Sequence, residues 1–162
     1  MRVDYREATE RDVPALARVR AATWGTEGYW GQRIAAYMGR ELHPQRALDS
    51  RVVYVATDAG EVVGLIAGHL TTRLSCDGEL EWIDVADTHR RRGIASELLR
   101  RLAVWFVAHE AYRICVDVDP DNVAAQHLYR RYGAEDLRPH WLVWPDMRLL
   151  AEFTDPEHPA RF

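Results

Sequence analysis

The sequence lacks the long apolar runs and the clustered cysteines that mark membrane proteins and disulfide-rich proteins. Nowhere do about 18 apolar residues follow one another, as a transmembrane helix requires, and the first residues are charged, unlike a signal peptide. Cys76 and Cys115 lie far apart, with no His or Cys beside them at the spacing of a metal site. We therefore expect a cytoplasmic protein with reduced thiols and no metal.

Lysine is also absent, and positive charge is not in excess. All 21 positions counted as Lys or Arg are arginine, against 25 acidic residues, and the formal net charge is -4. A general nucleic-acid binder carries a broadly basic surface. The composition therefore argues against that class of protein, and the basic run at residues 90–92 is a local feature.

What remains is a chain of the right size for one compact domain. It has 162 residues, of which 48% are hydrophobic, enough for a sizeable core. No repeat or Gly/Ser-rich linker divides it. We expect a single domain over residues 1–153, followed by a loosely ordered tail over residues 154–162.

Hydrophobic periodicity predicts a succession of strands and helices. The predicted strands cover residues 3–8, 52–56, 62–70, 80–85, 114–118 and 141–149. The predicted helices begin near residues 13, 33, 94 and 122, and an aromatic loop over residues 24–31 precedes the second of them. An antiparallel meander followed by two strand-to-helix units predicts an α/β (α+β) fold with a central mixed, mostly antiparallel sheet flanked by helices.

The most informative junction joins the strand at residues 82–85 to an amphipathic helix. It reads Arg90-Arg91-Arg92-Gly93-Ile94-Ala95. Amides at a helix N-terminus, together with arginines, can bind a phosphate group. A dinucleotide-binding turn of the Rossmann type fits less well, because it needs three glycines and a later acidic residue. The alternative is a solvated basic start of a helix.

Two motifs resemble the GNAT superfamily of acyl-CoA-dependent N-acetyltransferases. Arg90-x-x-Gly93-x-Ala95 resembles the pyrophosphate-binding turn of that superfamily, with Ala95 where glycine is frequent. Asn122-x-x-Ala125-x-x-x-Tyr129-x-x-x-Gly133 resembles the helix after the next strand. The resemblance extends over about residues 3 to 150. It implies the GNAT-like acyltransferase fold and acetyl-CoA as the cofactor.

The resemblance also implies which residues bind acetyl-CoA. Backbone amides of the turn would bind the pyrophosphate, with charge-assisted contacts from the arginines. Backbone groups of the preceding strand would pair with the pantetheine arm. Asn122 would contact the cofactor and also cap its own helix. The implied set is Ile83, Val85, Arg90, Arg91, Arg92, Gly93, Ile94, Ala95 and Asn122.

Two side chains match catalytic positions of the family. Tyr129 would protonate the departing thiolate, although the same residue could be a core aromatic. An ammonium acceptor must lose a proton before it attacks, and Glu81 falls where some members place the base. Asp84 is the competitor, and strand alternation predicts it on the face opposite Glu81, Ile83 and Val85. Either carboxylate could instead be solvated or ion-paired.

The acceptor site carries the least sequence signal. Trp24, Glu27, Tyr29 and Trp30 could form an aromatic and acidic box for a cationic amine, which Trp141 and Trp144 would close. Tryptophans on loops flanked by glycine can also simply cover the core.

Together these features predict an acetyl-CoA-dependent N-acetyltransferase. It would transfer an acetyl group to a primary amine of a small molecule or peptide, by direct attack in a ternary complex. The alternatives are a non-catalytic acyl-CoA sensor, in which Glu81 and Tyr129 only pack, and an RNA-binding module that uses residues 90–92. Strand edges and surface aromatics suggest a homodimer.

Overall fold

The computed structural model describes residues 2–152, so the predicted tail lies outside the described residues. It contains seven strands and five α-helices within that range. In chain order these are β1 Val3–Glu7, α1 Val13–Ala21, α2 Glu27–Met38, β2 Ala47–Asp58, β3 Glu61–Thr71, β4 Gly78–Val85, α3 Ile94–Ala108, β5 Ile114–Asp117, α4 Val123–Arg131, β6 Glu135–Arg138, β7 Trp141–Trp144 and α5 Arg148–Ala151.

The strands form one mixed sheet in the order β1-β2-β3-β4-β5-β7-β6. Only the β4–β5 pair is parallel, and the other five pairs are antiparallel. The predicted fold class is therefore confirmed. No helix within residues 2–152 is both long and apolar enough to span a bilayer.

Two predicted elements differ from the observed ones. The second helix begins at Glu27 rather than near residue 33, because Thr26 caps it by accepting a hydrogen bond from the amide of Tyr29. The last predicted strand, 141–149, ends at Trp144 and is followed by Pro145 and α5. The short strand β6, which pairs with β7, was not predicted.

Helices cover both faces of the sheet. The larger core cluster lies between the sheet and α3, where Leu98, Leu99, Leu102 and Phe106 are fully buried. A second cluster lies under α1 and α2 and includes Leu16, Ile34 and Tyr37. The central strands are thus buried on both sides, which is why β2 and β3 read as nearly continuous apolar runs.

The sheet opens between β4 and β5. Their ladder joins only Gly78–Leu80 to Ile114–Val116. Beyond Leu80, the edge of β4 that faces β5 has no strand partner within residues 2–152. The chain therefore presents unpaired main-chain groups inside the sheet, close to the start of α3.

Candidate active site

A β-bulge in β4 lies where that opening begins. Trp82 pairs with Ala67 of β3 and Leu80 pairs with Gly68, so Glu81 has no partner opposite it. An extra residue of this kind interrupts the alternation of side chains along a strand. Residues on either side of the bulge therefore face in directions that simple alternation does not predict.

Because of the bulge, the prediction that Glu81 and Asp84 lie on opposite faces of β4 is wrong. Asp84 does lie opposite Ile83 and Val85, which pack against the α3 cluster. However, Glu81 lies on the same side as Asp84, beside Glu79 and the helices α1 and α2. Four polar or aromatic side chains of β4 thus face α1 and α2, namely Glu79, Glu81, Trp82 and Asp84.

Glu81 is a largely buried carboxyl group with an unusual charge environment. Its Oε2 atom is buried and has no hydrogen-bond partner. Burial, followed by repulsion from Glu79, raises the pKa of Glu81 to about 7, although Arg33, Arg73 and Arg20 act in the opposite direction. A carboxyl group that titrates near neutral pH can accept a proton from a substrate and release it again.

Asp84 is engaged in an ion pair. Arg20 Nη1 lies 2.6 Å from its Oδ2 atom, and both side chains are mostly buried. Burial raises the pKa of Asp84, while the nearby Arg20 lowers it. Of the two candidate carboxylates, Asp84 is the ion-paired one, and Glu81 has the unpartnered oxygen.

Tyr129 lies on α4, within the core cluster on the α3 side. It is only 4% exposed, and its ring meets Trp144 edge-on with centroids 5.4 Å apart. Within residues 2–152 its hydroxyl forms no hydrogen bond. Burial raises the pKa of Tyr129, and the negative charge of Asp84 adds to that rise. The phenol is therefore protonated and has a proton to donate.

The basic turn has the backbone conformation of an anion-binding loop. Arg91 has a φ of 62° and Gly93 a φ of 78°, and Gly93 stands immediately before α3. The left-handed conformation accounts for glycine at residue 93. A Cβ atom built there would meet nothing within 4 Å, so the surface beside the turn is open. The first amides of α3 have no intrahelical acceptor.

Arg90, the first arginine of the turn, makes two contacts within the protein. Arg90 pairs with Asp87 at 3.0 Å, and its Nε donates to the carbonyl oxygen of Val85 at 3.2 Å. Both charged side chains of this pair are exposed, so a stronger anion can replace the carboxylate at little cost. The guanidinium of Arg90 thus links the end of β4 to the turn.

Main-chain groups at the end of β4 point into the sheet opening. The amide of Ala86 donates to Val63 of β3 at 2.8 Å. Because successive amides of a strand point to opposite sides, those of Val85 and Ile83 point away from β3. This places them at the edge of β4 that β5 leaves uncovered.

Asn122 caps α4, as the sequence predicts. Its Oδ1 accepts a hydrogen bond from the amide of Ala125 at 3.1 Å. The helix ends before Gly133, which has a φ of 100°. The structural half of the Asn122 prediction is therefore confirmed.

The predicted aromatic box has its own cations. Trp24, Tyr29 and Trp30 do come together, with ring centroids 5.0 to 5.6 Å apart. However, the guanidinium of Arg20 lies 4.1 Å from the Trp30 centroid, and Arg33 lies 5.6 Å from that of Tyr29. Trp24 is the most exposed ring of the three.

The two tryptophans of β7 do not both approach this group. They are three residues apart, so they face opposite sides of the sheet. Trp144 is buried against Tyr129 on the α3 side, so the prediction that it closes the aromatic box is wrong. Trp141 lies in a separate small cluster with Cys76 and Cys115, which are buried and unbridged, and Arg73 stacks on its ring at 4.3 Å.

Three residues beside Glu81 were not singled out in the sequence. His69 of β3 lies opposite Glu79 of β4, and its Nδ1 is 2.8 Å from the hydroxyl of Tyr37. All three are buried. The signal was available, because pairing β3 with β4 as a hairpin places His69 across from Glu79.

A cleft of about 400 Å³ lies elsewhere, between α4 and the β6–β7 hairpin. Its lining includes Gln126, Arg130 and His140, and among the predicted site residues it contains only Trp141. The opening at β4 is a slot in the sheet, defined by missing strand pairing.

Comparison with known proteins agrees with this geometry. Residues 18–134 match the family model described as "Acetyltransferase (GNAT) family". An aminoglycoside N(6')-acetyltransferase type 1 from Acinetobacter haemolyticus is 25% identical over 113 residues, which cover 66% of this chain and 77% of that protein.

Two solved structures share the fold. A ribosomal-protein-alanine N-acetyltransferase from Brucella melitensis has a TM-score of 0.66 at 26% identity, covering 83% of this chain and 86% of the other. The PaiA N-acetyltransferase of Thermoplasma acidophilum, solved in complex with coenzyme A, has a TM-score of 0.68 at 16% identity, covering 88% and 97%. Since the family model matches well over half of the sequence, this chain belongs to the GNAT acetyltransferase family.

Proposed function

We propose that the protein is an acetyl-CoA-dependent N-acetyltransferase that acetylates a primary amine of a small molecule or peptide. The observation that carries the proposal is the opening between β4 and β5, with the unpartnered Glu81 carboxyl at the bulge where it begins. Two relatives are described as N-acetyltransferases with very different acceptors, an aminoglycoside and a ribosomal protein. The common element is the amine.

The residues present fit coenzyme A. The left-handed turn at Arg91 and Gly93, with open space beside it, suits a pyrophosphate held by the first amides of α3, including those of Ile94 and Ala95. The outward amides of Ile83 and Val85 suit the peptide-like pantetheine arm. Arg90, Arg92 and Asn122 would add side-chain contacts from either side. When bound, the thioester supplies an acyl group activated for transfer.

The chain's own residues then divide the proton transfers. Glu81 accepts a proton from the ammonium of the acceptor, which frees the nitrogen lone pair for direct attack within a ternary complex. The amide of Val85 donates a hydrogen bond to the oxygen that gains charge. As the C–S bond breaks, Tyr129 donates its proton to the departing thiolate, and the tyrosinate regains a proton from the second N–H bond that the attacking nitrogen loses as the amide forms. Burial raises the pKa of Tyr129, and it would raise that of a thiol in the same place, so the transfer stays feasible.

The acceptor is expected on the α1–α2 side of β4, where Glu81 faces. Glu27, at the start of α2, and the exposed ring of Trp24 lie on this side and would contact it. Tyr29 and Trp30 would contribute less, since Arg33 and Arg20 already stack on them. That the chain forms a homodimer is a separate proposal, which the molecular mass from sedimentation would test.

Thiol release from acetyl-CoA, measured across aminoglycosides, polyamines, amino acids and peptides, tests the function. We expect turnover with at least one class. Tyr129→Phe should lower kcat about 100-fold with unchanged CoA affinity, because it removes an acid used only in the reaction. Tyr132→Phe, close by in sequence, is the matched control and should keep kcat.

Two outcomes would contradict the proposal. CoA binding without turnover on any amine would favour the acyl-CoA sensor, in which Glu81 and Tyr129 only pack. Unchanged kcat in Tyr129→Phe would remove that residue as the acid.

A further inference from the structure

Three side chains with unpartnered polar atoms lie together at the candidate base, Glu81 included. Within residues 2–152, four buried side-chain polar atoms lack a hydrogen-bond partner, and three of them are His69 Nε2, Glu79 Oε1 and Glu81 Oε2. One imidazole nitrogen of His69 and one carboxylate oxygen each of Glu79 and Glu81 all lie within 4.8 Å of one another. Folded proteins rarely leave buried polar atoms unsatisfied, so three at one place require a common explanation.

The geometry of the cluster is set by the β3–β4 hairpin. His69 and Glu79 are cross-strand partners, and Nε2 lies 3.6 Å from Oε1. That distance is too long for a good hydrogen bond and short enough for strong electrostatic interaction. His69 is completely buried and Glu79 is 3% exposed, while the bulge brings Glu81 to the same side.

Charged and titratable groups from every neighbouring element act on the cluster. The Tyr37 hydroxyl of α2 is bonded to His69 Nδ1, and Arg73 of the β3–β4 connection lies 3.8 Å from Glu79 Oε2. The full set that faces Glu81 is Glu79 on β4, His69 on β3, Tyr37 and Arg33 on α2, Arg20 on α1, and Arg73.

A single proton is the smallest addition that resolves this arrangement. Two buried carboxylates at this separation repel each other strongly when both are ionised. If His69 donates its Nδ1 proton to Tyr37, the Nε2 lone pair faces the Glu79 oxygen, and repulsion adds to the cost. One proton held among the three groups removes both repulsions and, when it lies between His69 Nε2 and Glu79 Oε1, gives these two atoms a hydrogen bond to share.

We propose that Glu79, Glu81 and His69 hold one proton in common, and that Glu79 and His69 thereby act as positioning residues for Glu81. This rests on the proposed function, in which Glu81 is the base. In the resting cluster the proton lies on the buried Glu79–His69 side, and Glu81 is ionised. The N–H bond of the ammonium breaks, its proton passes to Glu81, and its electron pair stays on nitrogen.

The proton balance closes at the exposed end of the cluster. After the transfer the three groups hold two protons. Glu81, the only member that is not fully buried, releases one of them to solvent. One proton is thus released for each amine acetylated, and the cluster returns to its resting charge.

The test follows the titration of Glu81 directly. In the cofactor-free protein labelled with ¹³C at glutamate carboxyls, the Glu81 signal, assigned with Glu81→Gln, should titrate near pH 7. Glu79→Gln should move that midpoint by about one unit or more, because the variant removes one of the three groups that share the proton. The acidic limb of kcat/KM should move by the same amount. Glu61→Gln, an exposed residue of β3, should move neither.

His69→Asn is the second variant, and it keeps the test decisive if Glu79→Gln does not fold. It should also move the Glu81 midpoint, while circular dichroism stays native. A Glu81 midpoint that neither variant moves would overturn the proposal. The proposal would also be overturned if the purified protein bound one equivalent of a divalent metal and the His69→Asn variant bound none. If the midpoint moves but Glu81→Gln retains full turnover, the shared proton stands and the base assignment fails.

Discussion

The two faces of β4 carry opposite kinds of side chain. Leu80, Ile83 and Val85 face α3 and pack into the larger apolar cluster. The face toward α1 and α2 carries Glu79, Glu81 and Asp84, together with Trp82. One strand therefore has an apolar face that stabilises the fold and an opposite face that buries charged groups.

The α1–α2 face of β4 gives up stability by burying charged groups. Burying apolar surface stabilises the fold, while burying carboxylates with unpartnered oxygens destabilises it. Glu81 and its neighbours are held in place by the well-packed cluster on the other side of the same strand. We therefore expect truncation of an apolar side chain on the α3 face and removal of a carboxylate charge on the α1–α2 face to change stability in opposite directions.

The largest expected effect is on the α3 face. Leu98→Ala should lower the free energy of unfolding by about 2–5 kcal/mol, because Leu98 is fully buried and its loss leaves a cavity. Urea denaturation measures it. Val104→Ala, on the same helix but 42% exposed, is the matched control and should change stability by less than about 1 kcal/mol. Equal losses in both variants would contradict the assignment of this face.

A smaller effect of opposite sign is expected for Glu81→Gln. The pKa of Glu81 is about 7 in the folded protein, above its ordinary value of 4.5. The folded state therefore binds this proton more tightly, and the wild type loses stability as pH rises from 4.5 to 7. Above pH 7 the variant should be more stable by at most about 3 kcal/mol, and below pH 4.5 the difference should vanish.

The measurement is urea unfolding of both proteins at several pH values. Glu97→Gln is the control on the α3 helix, where paired arginines lower the carboxyl pKa against the effect of burial. Because the pKa of Glu97 is lowered, the stability difference has the opposite sign, and the wild type should be more stable than Glu97→Gln above pH 4.5, the ordinary pKa of a glutamate. A Glu81→Gln variant that is less stable than wild type at pH 8 would mean that the buried Glu81 carboxylate does not destabilise the folded protein.

Local signals predicted the secondary structure around the basic turn and α4 well. The basic turn, the Asn122 cap and the Gly133 stop depend on a few neighbouring residues, and the helical periodicity of α3 is strong. Such features can be read along the chain because the physical cause lies within one or two turns.

The side of the sheet that α1 and α2 cover could not be predicted in the same way. The facing of Glu81 depends on the bulge, which arises from the register of β4 on β3 and has no local signature. The helix α2 contains Gly28 and Gly31, which weaken the local helix signal, and it is stabilised by burial of Trp30 and Ile34. The polar edge strand β6 lacks alternation altogether.

The smallest expected effect compares two buried hydroxyl groups, one on each face. The Tyr37 hydroxyl is 2.8 Å from His69 Nδ1 under α2, and that of Tyr132 donates to Ser96 Oγ at 2.7 Å beside α3. Each Tyr→Phe change should lower the free energy of unfolding by about 1 kcal/mol, the typical value for one hydrogen bond.

The pH dependence of the two losses separates the faces. Tyr37→Phe removes the hydrogen-bond partner of His69 in the cluster that contains Glu81, whose pKa is about 7, so its cost should vary between pH 5 and 8. Tyr132→Phe removes a bond between two hydroxyl groups on the other face of the sheet, away from the Glu81 cluster, so its cost should be constant over that range. Urea unfolding across this range measures both variants. Parallel pH profiles for the two variants would mean that His69 does not share a proton with Glu79 and Glu81. The shared proton on the α1–α2 face would then be held by the two carboxylates alone.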